Sequence, residues 1–544
     1  MKRTLVVFAA KLDTPMRDYR PLLSELRKEP ELDEASAEFL LFDPVTHRIG
    51  LRGLASFADE LAAEINQCWV THGGFEEVIL FGHSIGGLLV REAYLLASGD
   101  SPEPRFAWVR AVRRIVLLAA PNRGISALRP MDSVGDRLVR LFLPWVHFTY
   151  QDFMNGSAFI TNLRLRWIRR FRTHSGDRDA LPLVLQLRGT NDRTVREHDS
   201  ADVLAFPEGQ QVPVAGADHG SIALLAVQRG ADGTLELTAK SRERYTLLRN
   251  ALLRGPEALG LADPQPAGAR PAASFDRVVF ILHGIRARNI ESWLGMLAQE
   301  ISARDLRSTP VRPNYGYLSA LRFVLPSVRR RNIRWLQDEY AQRLAENPDA
   351  TFHFIGHSNG TYMLGESLKQ VPAMRFERVV LVGCVLPTDF FAAGAPVREQ
   401  VQAARSDGAR LDWPVGILCR VLHNTLRMND VGTAGYDGFA GAGTLVEDHR
   451  FHAGGHSDMF TEGNVQSIVA FVLGQEPARG PSVPMLGEHG GFGFLSRLSP
   501  VLVGLALVAL VLLPAFPGVD IAWRTWLAGV AVVLVVVGAV LDAC

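Results

Sequence analysis

Cysteine is scarce. The 544 residues hold four, Cys68, Cys384, Cys419 and Cys544, far apart, with no C-x-x-C pair and no framework spacing. That excludes a disulfide-stapled scaffold and reads as buried or incidental reduced thiols. Net charge is scarce too: 58 Lys and Arg against 57 Asp and Glu leave +1. Without a basic field, nucleic acid is not an implied partner. An export signal is also lacking, because the apolar run that ends at Ala10 is short and Lys11 stands where a small-residue cleavage site belongs. The segment Met1–Lys11 therefore reads as a first β-strand, and the folded domains are expected on the cytoplasmic side.

What is present occurs twice. In Val78-Ile79-Leu80-Phe81-Gly82-His83-Ser84-Ile85-Gly86-Gly87, an apolar run ends at a glycine-flanked serine and a helical pattern starts at once. This is the nucleophile elbow G-x-S-x-G, a strand-to-helix turn so sharp that only small residues fit around the serine. Thr351-Phe352-His353-Phe354-Ile355-Gly356-His357-Ser358-Asn359-Gly360 repeats it. The chain is too long for one core. Nearly the same number of positions separates Phe8 from Ser84 as Phe280 from Ser358. The pattern predicts a duplication of a whole domain rather than a short-period solenoid.

Strands alternate with helices in both halves, which predicts α/β domains with mainly parallel sheets covered on both faces. In residues 1–253 strands are expected at Thr4–Ala9, Glu77–Gly82, Arg114–Ala120, Leu181–Leu187 and Gln211–Val214, with helices at Leu51–Trp69 and Leu88–Ala97. Residues 121–180 read as a lid-like insertion containing Leu138–Phe148 and an arginine-rich stretch, Leu163–Arg172. There Trp167, Ile168 and Phe171 either meet a membrane surface or form an ordinary core stripe. Residues 254–273 are a Pro/Gly/Ala-rich linker. In 274–475 the expected strands are Arg277–Leu282, Thr351–Gly356, Arg378–Val385 and Val415–Leu422, with a helix at Ile333–Leu344. After a second linker at 476–497, residues 498–544 hold two apolar runs, Pro500–Val519 and Ile521–Leu541, with Trp523 and Trp526 near the join. Each run of about 20 residues can cross a bilayer as a helix, so a transmembrane hairpin is expected.

A serine hydroxyl needs a histidine to take its proton and an acid to orient that histidine, and in this strand–turn–helix setting they follow in the order Ser, acid, His. In the first half Asp192 lies just past the Leu181–Leu187 strand and His219 sits among small residues in Gly216–Ser221. In the second half Asp430 follows Val415–Leu422, and Gly454-Gly455-His456-Ser457 supplies His456. The acid-to-histidine spacings of the two halves agree within one residue. Rivals are Asp218 and His198 in the first half, and Asp389, His449 and His452 in the second. Backbone donors to an oxyanion are expected at Ile85 and Asn359, after each serine, and at Lys11 and Ile285, after each first strand. Only the second half has His-Gly there, as His283-Gly284. No metal or cofactor is implied.

Both halves resemble the α/β-hydrolase superfamily. The first is similar to its lipase and GPI-inositol-deacylase-like branch through Phe81–Arg91, Leu117-Leu118-Ala119-Ala120-Pro121-Asn122-Arg123-Gly124 and Met154-Asn155-Gly156-Ser157-Ala158-Phe159-Ile160. Ala120 and Asn122 stand where that branch usually has Thr and His. The second resembles a less characterised bacterial hydrolase group through His283-Gly284-Ile285-Arg286 and Ile355–Tyr362. The resemblance implies two tandem α/β-hydrolase folds and a serine hydrolase of carboxylic esters, lipids or acyl groups, which the C-terminal apolar runs are expected to hold at a membrane. The alternatives are a membrane-tethered binding or scaffold protein with one or both folds inactive, and a thioesterase or amidase.

Overall fold

A computed structural model of the chain describes residues 3–11, 14–44, 53–99, 103–125, 151–173, 181–200, 209–231, 233–260, 275–285, 291–313, 320–475 and 490–512. The chain divides into two compact units, Met1–Ala272 with Tyr340–Pro348, and Ala273–Glu339 with Asp349–Cys544.

The first unit is built on a six-stranded, all-parallel sheet. Its strands are β1 (Thr4–Ala9), β2 (Ala37–Phe42), β3 (Glu77–His83), β4 (Val112–Leu118), β5 (Leu183–Gly189) and β6 (Gly209–Val214). Their order is β2-β1-β3-β4-β5-β6. Parallel strands need crossover helices, which cover both faces, so strands such as Leu-Val-Val-Phe and Val-Ile-Leu-Phe are apolar at successive positions. On one face Val6, Phe8, Ile79, Phe81, Val116, Leu118, Leu185 and Leu187 pack with Leu22, Leu26, Tyr245 and Leu248 into one core. Helices α1 (Leu54–Thr71) and α2 (Ile85–Ser98) are buried through Phe57, Leu61, Ile65, Leu88 and Leu89.

Helix α3 (Ala158–Thr173) corrects the membrane-facing alternative for the arginine-rich stretch. Leu163, Leu165, Trp167, Ile168 and Phe171 are buried. The Arg91 guanidinium lies 4.5 Å from the Trp167 ring centroid, and Arg166 pairs with Glu92. The rings are spent inside the domain because α2 offers them an apolar wall. The Leu138–Phe148 stretch lies outside the described residues.

The second unit has the same strand order. Its strands are β7 (Arg277–Leu282), β8 (Ser308–Val311), β9 (Thr351–His357), β10 (Phe376–Val382), β11 (Val401–Ala409) and β12 (Val446–His452). The sheet runs β8-β7-β9-β10-β11-β12, and every pairing is parallel. Helices Glu291–Arg304 and Glu462–Leu473 pack through Leu297, Ile301, Ile468 and Val469 on Val279, Ile281, Ile355 and Val380.

One expectation changes here, and the expected transmembrane hairpin finds no support among the described residues. Val415–Leu422 is not a strand: Pro414–Cys419 is a π-helical turn leading directly into a short α-helix, Arg420–Asn424. Asp412 starts it by accepting the Val415 N–H at 3.0 Å, and Pro414 brings a pre-set φ to the first turn. The strand in that place is β11, which carries Arg405 and Asp407 in its buried centre. At the C-terminus, helix Gly490–Leu512 is described, whereas Ile521–Leu541 lies outside the described residues. Among the described residues no helix is long and apolar enough to cross a membrane.

Candidate active site

Both elbow serines hold backbone angles that L-residues rarely adopt. Ser84 sits at φ 56°, ψ −119° and Ser358 at φ 52°, ψ −117°. Such strain costs about 1–3 kcal/mol and persists only where its surroundings impose it. Here the next strand imposes it: the Ser84 N–H donates to Leu118 O at 2.8 Å and the Ser358 N–H to Val382 O at 2.9 Å. The glycines are required by close approach. A Cβ on Gly86 would lie 2.1 Å from Ala9 O, and one on Gly360 2.8 Å from Leu282 O.

In the first unit the structure brings Ser84, His219 and Asp192 into one hydrogen-bonded row. His219 Nδ1 is 2.8 Å from Asp192 Oδ2, and its Nε2 is 2.9 Å from Ser84 Oγ. A carboxylate only accepts, so Nδ1 carries the proton and Nε2 is left to take one from the serine. Asp192 Oδ1 accepts the amides of Thr194 and Val195 at 2.8 and 2.9 Å. Burial would raise the Asp192 pKa, but the His219 hydrogen bond and charge, with those two amides, outweigh it and hold the carboxyl below the usual range. Asp218 instead caps its own turn through the amides of Gly220 and Ser221, while His198 sits beside Asp199.

His83, beside the nucleophile, supports this geometry. Its Nε2–H donates to the His219 carbonyl at 2.7 Å, so Nδ1 accepts from the Tyr19 hydroxyl at 2.8 Å. Burial first, then the charge of His219, push its pKa down to about 3, so it is a neutral strut. Tyr19 also corrects one expectation. The Lys11 amide donates to the Tyr19 oxygen at 3.3 Å and is therefore not an open oxyanion donor. The first half lacks the His-Gly of the second, and its Lys11 amide is taken up by the Tyr19 hydroxyl. The Ile85 amide keeps its place at the start of α2.

The second unit keeps the serine and histidine but changes the acid. His456 Nδ1 lies 2.9 and 2.8 Å from the two oxygens of Asp412, which is fully buried. Asp430, the expected acid, is held by the Arg329 guanidinium and accepts the Tyr362 hydroxyl at 2.8 Å. The physical reason is the strand correction. Asp412 follows the end of β11 as Asp192 follows the end of β5, three positions on in each case. The histidine is 27 residues from its acid in the first unit and 44 in the second, so the matched spacing was a coincidence. Of the rivals, His452 bonds Asp407, His449 bonds Glu447, and Asp389 is not the partner of His456.

His357 repeats the strut, with Nε2 3.0 Å from His456 O and a pKa lowered to about 3 by burial and then by His456. His456 Nε2 has no hydrogen-bond partner, and it shares a pocket with Ser358, Asn359 and Ile285. That places the Ile285 and Asn359 residues beside the nucleophile. The remaining walls are Phe323, Val324, Val385, Pro414, Leu418, Cys419 and Leu422. The hollow beside the first triad is polar by contrast, lined by Thr190–Thr194, Asp218 and His219. Gly383, at φ +55°, makes room for the histidine, since a Cβ there would lie 2.8 Å from His456 Cε1. Sequence reasoning missed Tyr19, Gly383 and Asp412. Only Asp412 left a signal, a helix-starting Asp two residues before Pro414.

Among the described residues no cluster of His, Cys, Asp and Glu could hold a metal ion. The first arrangement suits a nucleophilic serine with a histidine base, and the second sets Ser358 and His456 in one pocket.

Among curated proteins, none matches the sequence. Solved structures similar to part of the chain include the esterase domain of a Rhodothermus marinus protein, at 14% identity over 48% of this chain and 87% of that one, TM-score 0.25. A thermophilic esterase of Thermogutta terrifontis, Est2, gives 16%, 46%, 83% and 0.29. A monoacylglycerol lipase of Paleococcus ferrophilus gives 17%, 40%, 85% and 0.25. Residues 16–232, which hold Ser84, Asp192 and His219, match the model of the alpha/beta hydrolase family.

Proposed function

We propose that the chain is a serine hydrolase with two sites that cleave carboxylic esters through an acyl-enzyme. The observation that carries this reading is the row Asp192–His219–Ser84 on a strained elbow serine. Ser84 Oγ attacks the ester carbonyl carbon while its proton passes to His219 Nε2. Asp192 stabilises the imidazolium in place. The Ile85 amide holds the oxyanion of the tetrahedral intermediate, which collapses as His219 returns the proton to the leaving alcohol. Water, deprotonated by the same histidine, then releases the acid. In the second unit Ser358, His456 and Asp412 take these roles, with Asn359 and Ile285 as amide donors.

The apolar walls around Ser358 suit an acyl chain, so the substrate class proposed is a lipid or other acyl ester. The C-terminal runs Pro500–Val519 and Ile521–Leu541 are proposed to fix the chain to a bilayer, with the hydrolase units on the cytoplasmic side. A second reading, in which the second unit binds without turnover, is favoured by the unpartnered His456 Nε2. Catalytic hydrogen bonds are often long before substrate binds, which favours turnover. Fluorophosphonate labelling of Ser84→Ala and Ser358→Ala decides between them. Label on both serines supports two enzymes, and label on Ser84 alone makes the second unit a binding module.

A further inference from the structure

Exposed large apolar side chains are unevenly placed. In the described part of the first unit they are Val70, Val227 and Leu235. In the second unit, Met296 and Leu306 apart, they flank the segments that build the Ser358 pocket. Leu325 (51% exposed) follows the pocket residues Phe323 and Val324. Leu411 (51%) and Trp413 (39%) bracket Asp412 and precede Pro414. Leu426 (52%) lies just beyond Leu422.

The helix Gly490–Leu512 joins the same segment. The Ser496 hydroxyl donates to Gly416 O and accepts from Arg420 Nε at 3.0 Å. Thr425 Oγ1 donates to Pro500 O at 3.3 Å, and the Phe492 ring meets Tyr436 at 5.8 Å. Pro500 has no N–H for the carbonyl of Ser496 one turn back, and the Ser499 hydroxyl supplies that bond at 2.7 Å. The docked stripe is therefore polar and satisfied. Elsewhere on the helix Arg497 is exposed, and so are the large apolar side chains described: Phe494 at 72%, with Leu495, Leu498, Val501, Leu502, Val503, Leu505 and Val508.

We infer that this helix and the rim residues Leu325, Leu411, Trp413 and Leu426 form one lipid-contacting face, which seats the Ser358 pocket on a bilayer so that its acyl substrate arrives from the lipid. The inference rests on the hydrolase reading of Ser358 and deepens it. The occupant is a bilayer rather than another protein, because Val501, Leu502 and Val503 are exposed at three consecutive positions, with Leu505 and Val508 beyond them, rather than along one stripe. A protein partner would cover one stripe. The apolar run also continues in sequence as far as Val519. Trp413 at the rim suits the headgroup level, where indole is favoured. Fastened through Ser496 to Gly416 and Arg420, the helix orients the pocket mouth instead of tethering it loosely.

The test uses the full chain carrying Ser84→Ala in phosphatidylcholine vesicles, with and without Leu325→Ser, Trp413→Ser and Leu426→Ser together. Two substrates share a leaving group: 4-nitrophenyl dodecanoate within the vesicles and 4-nitrophenyl acetate in solution. The rim variant should lose about tenfold or more on the dodecanoate, from the apolar area withdrawn from lipid, and stay within about twofold on the acetate. Brominated phosphatidylcholine should quench a part of the tryptophan emission that Trp413→Phe lacks. Equal effects on both esters, or no effect on either, overturn the inference. So does a Trp413 that brominated lipid leaves untouched while sedimentation shows the rim covered by a second copy. If the parent cleaves neither ester and Ser358 takes no fluorophosphonate, the hydrolase reading fails, and the quenching still decides the lipid face.

Discussion

Replacing Asp412 by Asn separates two accounts of the second site. Asp412 is buried, and both its oxygens lie within 2.9 Å of His456 Nδ1. An Asn amide there would donate to Nδ1, so the imidazole proton would move to Nε2. The nitrogen that must accept the Ser358 proton would then have no lone pair to offer. Loss of the orienting carboxylate in such a triad costs about 10⁴ in kcat, which is roughly 5.5 kcal/mol of barrier. Asp430 is partly exposed and bonded to Arg329 and Tyr362, so Asp430→Asn removes a half-solvated ion pair and should change turnover by only about threefold. The assay is the rate of fluorophosphonate labelling at Ser358, with ester turnover, in the Ser84→Ala background. Loss of reactivity in Asp430→Asn with Asp412→Asn near normal would refute the assignment.

Other consequences follow from the same geometry. Gly383→Ala would drive a Cβ to 2.8 Å from His456 Cε1; a displacement of about 1 Å at such a site costs about 10²-fold, and turnover by Ser358 close to wild type would contradict this. His83 and His357 titrate near 3 when folded against 6.5 unperturbed, so between those values the unfolded chain binds more protons. Stability should fall as pH drops from 6.5 towards 4, by up to about 1.4 kcal/mol per pH unit per histidine. His83→Gln, which keeps the donor to the His219 carbonyl, should flatten that slope in calorimetry at several pH values, and an unchanged slope counts against the strut. Ending the chain after Gln475 strips Ser496 and Phe492 from Gly416, Arg420 and Tyr436. The truncated protein should label at Ser84 and poorly at Ser358; equal labelling would show the helix to be a passenger.

Five of the first unit's six strands and its triad were legible in the sequence because their signals are local, whereas the edge strand β2 was not. β1 and β3 are apolar at successive positions, and the elbow glycines mark a turn that only small residues permit. Asp192 and His219 each sit in a short polar loop next to a recognisable strand. The second acid was hidden by β11, Val-Gln-Ala-Ala-Arg-Ser-Asp-Gly-Ala. It looks like a loop because its buried charges are satisfied only in three dimensions: Arg405 by Asp407, Asn464 and Ser467, and Asp407 also by His452. With β11 unseen, the apolar Val415–Leu422 took its place, although Asp412 and Pro414 mark a helix start. Likewise the arginine-rich face of α3 left a membrane surface and a core stripe equally open, and only the fold shows Trp167 and Phe171 against each other and against Tyr94 inside the first unit. Periodicity shows that a helix has an apolar stripe but not what covers it.

The central claim, two serine nucleophiles on two elbows, is tested most directly by fluorophosphonate labelling of the full chain with mapping of the modified peptides. Adducts should form on Ser84 and Ser358, each lost in its own alanine variant and both in the double variant. Adducts on neither serine, or label that survives the double variant, would contradict it.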